Sequence, residues 1–149
     1  MPVFSYTSPN LENNGAIIGV DIFPPFAVIK DLRDKQENVP TKKLIGLIDT
    51  GASCSGFDAP IANELNLIVR DQQPVLTPSG ESTHYLYDVV LVLNEFFTRG
   101  IPIQAYGLDL SKQPYDILIG RDILKSCTLI FNGWNNSYDL HLHPEHIRT

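Results

Sequence analysis

Apolar and polar residues alternate along this chain in short runs, interrupted again and again by proline, glycine and asparagine. That is the texture of strands joined by turns rather than of long helices. Residues 16–22 (Ala-Ile-Ile-Gly-Val-Asp-Ile) read as a strand, and the apolar residues 26–29 (Phe-Ala-Val-Ile) as a second one. Residues 30–43 are polar and charged, as expected of a surface turn or hairpin tip. Residues 44–48 form a short apolar run that ends in Asp49-Thr50-Gly51, a buried strand delivering a carboxylate to a turn.

Residues 58–65 are the best helix candidate. Asp58 is placed to cap it, Pro60 falls in the first turn where its missing donor costs little, and Ile61 and Leu65 share a face. Strand-like runs at 74–76 and 85–93 flank Thr77-Pro78-Ser79-Gly80-Glu81-Ser82, which predicts a projecting hairpin. Further strands are expected at 101–106 and 117–119, a short helix at 120–125, and a terminal hairpin from 127–131 and 138–142 around Asn132-Gly133-Trp134-Asn135-Asn136. Residues 1–14 read as a loose N-terminal arm, leaving 15–149 as one domain. The expected class is all-β, a closed barrel of antiparallel strands with one or two short helices.

Length and composition narrow the function classes. The 149 residues allow one domain with a real core, and 43% hydrophobic against 19% charged residues is a globular balance. The formal net charge is -6, and Lys and Arg are scattered, which argues against nucleic acid as a partner. No apolar run approaches the roughly 20 residues of a membrane span, so no membrane partner is expected. Neither a secretory leader nor a disulfide framework is evident, Cys54 and Cys127 being the only cysteines, so the cytoplasm is the expected compartment. His141, His143 and His146 lie close together near the end, but histidines on an exposed terminal strand are commoner than a metal site, and no metal is expected.

The chemistry centres on Asp49-Thr50-Gly51-Ala52-Ser53. An aspartate at the end of an apolar strand is costly to place unless partners satisfy it or a function requires it. Gly51 lets another backbone approach, and Thr50 offers a hydroxyl that can tie the turn to a neighbour. On its own, the same triplet also fits a plain turn in which Asp49 bonds its own backbone.

Together with the downstream segments, the pattern resembles the retropepsin-like aspartic proteases: an apolar strand, Asp49-Thr50-Gly51-Ala52, a hairpin, then Ile117-Leu118-Ile119-Gly120-Arg121-Asp122-Ile123-Leu124 and Cys127-Thr128-Leu129. The likeness runs in order from residue 45 to 131. It implies an endopeptidase in which two aspartates share a proton and hold a water. With only one Asp-Thr-Gly here, the second carboxylate would be Asp49 of another copy, making the enzyme a homodimer. By the same resemblance Asp49 is catalytic, Thr50 and Gly51 support the site, and Ala52, Ser53, Ser79 and Gly80 touch a peptide or protein substrate. Gly120 and Arg121 would be structural, the hairpin at 77–82 would close as a flap, and no cofactor is implied.

Three features depart from the family. The position after Ala52 holds neutral Ser53 where retroviral enzymes have an aspartate for the Gly-Arg arginine, so Arg121 needs another acceptor: a backbone carbonyl, Asp122 or solvent. The flap tip carries Pro78 and a single glycine. The chain also continues past Phe131, which implies a dimer sheet built differently. The other function class left open is a catalytically inactive dimeric peptide-binding module of the same fold.

Overall fold

The computed structural model describes residues 2–77, 80–93 and 97–146, apart from the side chains of 75–77 and 146. Its strands are β1 (Val3–Thr7), β2 (Ile17–Phe23), β3 (Lys42–Ile48), β4 (Gly56–Asp58), β5 (Asp71–Thr77), β6 (Gly80–Val92), β7 (Ile101–Leu108), β8 (Ile117–Ile119), β9 (Cys127–Asn132) and β10 (Ser137–Leu142). Four short helices intervene: α1 (Leu11–Asn14), α2 (Phe26–Asp34), α3 (Pro60–Glu64) and α4 (Arg121–Leu124). The protein is mostly β, as expected, and no described helix is long and apolar enough to cross a membrane.

Seven strands form one sheet in the order β2-β3-β8-β4-β7-β6-β5, and β2 also pairs with β6, so six of them close into a ring. The ring is not purely antiparallel. β3 runs parallel to β8 and β4 parallel to β7, each pair reached through a long connection. Val20, Ile22, Phe57, Leu91, Ala105, Ile117 and Ile119 fill its interior with essentially no solvent exposure. The alternation in β2, half-buried and buried by turns, is the signature of a strand with one face on that core.

The remaining strands make a second sheet, β1-β10-β9. The expected loose arm of residues 1–14 is, over the described residues 2–14, held in place: Val3–Thr7 pairs with β10 from Val3 opposite His141 to Thr7 opposite Ser137, and Leu11 is buried in the core. Tyr138 joins the two sheets. Its hydroxyl donates to the Ile17 carbonyl and accepts from the Ile17 N–H at 3.0 Å, and burial pushes the phenol above its ordinary range. Tyr138→Phe would strand both Ile17 backbone groups and is expected to cost about 1–3 kcal/mol, readable as a lower midpoint in urea unfolding.

Two other expectations change. Residues 26–29 begin helix α2 rather than a strand. Pro25 stands in an extended conformation just before it, and Lys30–Asp34 and Asp31–Lys35 ion pairs at 2.8 and 3.0 Å brace the exposed face. Residues 30–34, expected in a hairpin tip, complete that helix. Asp58 does not cap α3; it ends β4, and its carboxylate accepts from the Leu110 N–H at 3.0 Å. Pro60 does open the helix, and Ile61 and Leu65 are buried on one side of it.

Candidate active site

Strand β3 alternates exposed and buried positions up to Ile48 and then delivers Asp49 to a turn. The Asp49 N–H donates to the Ile119 carbonyl at the end of β8, 2.9 Å away, so the parallel β3–β8 pair continues to the carboxylate-bearing residue itself. The partly exposed Asp49 accepts from Gly51: Oδ1 lies 2.9 Å from the Gly51 N–H. The Ala52 N–H returns to the Asp49 carbonyl at 3.2 Å and closes the turn. This is the local hydrogen-bonded turn that the triplet alone suggests, here built at the mouth of two core strands.

The turn is clamped from a distance by the segment after β8. Arg121 donates through Nη1 to the Thr50 carbonyl at 2.7 Å, and its backbone N–H donates to the Ala52 carbonyl at 2.8 Å. The backbone carbonyl, among the acceptors open to Arg121, is the one it uses. Gly120 lies beneath. A Cβ there would fall 2.7 Å from the Cys54 carbonyl carbon, 2.8 Å from its oxygen and 3.0 Å from the Ala52 oxygen. With φ -92° and ψ -173° the position suits any residue. Glycine is required for space.

Ser55 and Asp122 complete the clamp, and the sequence pattern assigns Ser55 no role. Fully buried, Ser55 donates through Oγ to Asp122 Oδ1 at 2.7 Å and accepts from the Gly120 N–H at 2.9 Å. Its own N–H donates to Asp122 Oδ2 at 2.9 Å, and Asp122 Oδ1 also accepts from the Ile123 N–H at 2.9 Å. Every partner of this buried hydroxyl is thus supplied by the Gly120–Ile123 segment. The sequence offers no distinct signal for it, because Ser55 stands among the small and polar residues Gly51 to Gly56 and only the fold shows what faces it.

Thr50, Gly51 and Ser53 are exposed and Ala52 is half-buried. The hairpin of β5 and β6 pairs from Asp71 opposite Leu86 to Thr77 opposite Gly80, and Gly80 adopts φ +121°, which favours glycine. Pro78 and Ser79, at the expected flap tip, lie outside the described residues. Toward its base the hairpin is fastened to β7: Tyr106 Oη donates to Gln73 Oε1 at 2.6 Å, and the His84 ring meets the Gly107 carbonyl at 3.0 Å. Ser82 Oγ lies 2.9 Å from the other ring nitrogen of His84. Of the terminal histidines, His143 bonds the Thr128 hydroxyl at 3.0 Å, and among the described residues no three His, Cys, Asp or Glu side chains are grouped to hold a metal.

The two thiols differ sharply. Cys54 is exposed beside the turn, whereas burial pushes the Cys127 thiol up to about 11 from an ordinary 9.0. Iodoacetamide at pH 8 is therefore expected to alkylate Cys54 first and Cys127 only on unfolding or near pH 11. Because the folded state holds the Cys127 proton more tightly, its contribution to stability is complete below pH 9 and lost as pH rises from about 9 to about 11. Peptide mapping of the labelled protein checks the order.

No protein-family model matches the chain, and no curated protein matches it in sequence.

Proposed function

We propose that the chain is one half of an aspartic endopeptidase with a retropepsin-like fold, and that a homodimer brings two copies of Asp49 together over a peptide substrate. The observation that carries this reading is the Asp49-Thr50-Gly51 turn gripped by Gly120 and Arg121: a partly exposed carboxylate at the ends of two core strands, fixed by bonds to its own turn and to residues far along the chain. A turn of merely structural value would not require that investment of long-range contacts around a partly exposed acid.

Two carboxylates within a few ångströms cannot both ionise, so the pair holds one proton at working pH. The ionised carboxylate takes a proton from the bound water as the water oxygen attacks the scissile carbonyl carbon. The protonated carboxyl meanwhile gives its proton to the carbonyl oxygen. Collapse of the resulting gem-diol breaks the C–N bond. The leaving nitrogen takes a proton from the carboxyl that received it from water, and the other carboxylate recovers the gem-diol proton. Thr50 and Gly51 hold the two turns in register, Ala52 and Ser53 meet the substrate backbone, and the β5–β6 hairpin, which includes Gly80, closes over it and excludes water.

A diverse peptide library incubated with the purified protein, with and without pepstatin, tests this by mass spectrometry. Cleavage suppressed by the inhibitor is expected. Peptides retained but left intact would instead identify a binding module of the same fold.

A further inference from the structure

The two edges of β2 are satisfied unequally. The Ile48 N–H donates to the Ala16 carbonyl at 2.9 Å. Backbone groups two residues apart in a strand face the same way, so Ile18 and Val20 bond toward β3, while Ile17, Gly19 and Asp21 face away from it. On that outer side Tyr138 takes Ile17, its one hydroxyl serving both the carbonyl and the N–H. β6 takes over at Asp21, opposite Val92. Gly19 falls between the two, and among the described residues its N–H and carbonyl meet no partner on this side. Having no side chain, it does not shield them.

Gly19 opens into a cavity of about 350 Å³ where the two sheets meet, walled by Phe4, Tyr6 and Tyr138. The three rings cluster. Phe4 stacks on Tyr6 with centroids 6.2 Å apart, and Tyr138 lies tilted 6.0 Å from Phe4 and 5.8 Å from Tyr6. Tyr6 is still 52% exposed, so aromatic surface stays uncovered beside an unpaired donor and acceptor. Small-molecule sites commonly take this form, a cavity of about 300–1,000 Å³ with apolar walls and a few placed polar groups.

We infer that this cavity binds a phenol. Tyr138 supplies the template, since its phenolic hydroxyl alone satisfies both backbone groups of an outward-facing β2 residue. A ligand phenol on Gly19 repeats that contact two residues along the strand, about 7 Å away. Aromatic rings pack favourably at centroid separations up to about that distance. The ligand hydroxyl donates to the Gly19 carbonyl and accepts from the Gly19 N–H, while its ring lies beside Tyr138 and within reach of Tyr6. A purely apolar ligand leaves the backbone pair unmet. A carboxylate accepts from the N–H but has nothing to donate to the carbonyl, and the chain's formal net charge of -6 opposes it.

Proton–nitrogen correlation NMR of the full chain reads the site directly, in separate titrations with p-cresol, with toluene and with a short peptide carrying a central tyrosine. The expected result is a saturable shift of the Gly19 amide with p-cresol. Toluene, which has the ring without the hydroxyl, should bind at least about tenfold more weakly. Tyr6→Ala removes one ring of the wall and should weaken p-cresol by about three- to tenfold. A Gly19 amide that does not move, toluene as tight as p-cresol, or unaltered affinity in Tyr6→Ala overturns the assignment. Should Tyr6→Ala misfold, the comparison of p-cresol with toluene on the unmodified chain decides alone. The peptide distinguishes the sources of the phenol: saturation by it as well identifies a tyrosine side chain as an acceptable ligand, and saturation by p-cresol alone a free phenol.

Discussion

Asp49→Asn is expected to abolish peptide cleavage, by about 10³–10⁴-fold or more, while leaving the fold intact. In the proposed dimer one substitution removes the carboxylate from both halves, so neither the proposed base toward water nor the proposed acid toward the carbonyl oxygen would survive. The structural cost is small for a specific reason. Asn keeps a side-chain oxygen where Asp49 Oδ1 accepts the Gly51 N–H at 2.9 Å, so the turn retains its bond. Unfolding free energy should therefore change by less than about 1 kcal/mol. Matched unfolding curves beside a lost rate would locate the chemistry at Asp49; a purified variant with more than a few per cent of activity would move it elsewhere.

Gly120→Ala should have the next largest effect, and through packing rather than chemistry. The added methyl meets backbone atoms of Cys54 and Ala52, which cannot rotate aside as a flexible side chain would. Overpacking of this kind costs about 1–3 kcal/mol. The atoms that must move belong to the Asp49–Ser55 segment, and a misplacement of about 1 Å in a reacting group can cost about 10²-fold in rate. Activity should thus fall further than the loss of folded protein explains, in a variant that still unfolds cooperatively. A Gly120→Ala protein with unchanged rate and stability would contradict the close approach of the two segments.

How much of this is legible in the sequence depends on how local each feature is. β3 leading into Asp49, the β5–β6 hairpin, β8 with α4 behind it and the terminal hairpin are all signalled by residues within or beside them. α3 is legible for the same reason, though its start is misread because Asp58 bonds Leu110, a residue remote in sequence. Phe26–Ile29 has the composition of a strand, and only the exposed ion pairs of Lys30 and Asp31 with residues four away reveal the helix it begins. β4 is three residues long, too short for any period to appear. Val3–Thr7 becomes a strand because β10 offers it an edge, and nothing nearby announces that. Within the candidate site, Asp49 and the Gly120-Arg121 pair can be read as a pattern, but the Ser55–Asp122 bonds span 67 residues and belong to the folded chain alone.

That separation also bears on when such a site comes into being. Thr50 and the arginine that grips it are 71 positions apart, and Tyr138 reaches Ile17 across 121. During synthesis the Asp49 turn leaves the ribosome long before Gly120, Arg121 and Asp122 exist to frame it, and before β10 can recruit β1. Contacts so distant along the chain close slowly. A nascent chain thus carries the acidic residue without the framework that fixes its turn until those later segments have been made.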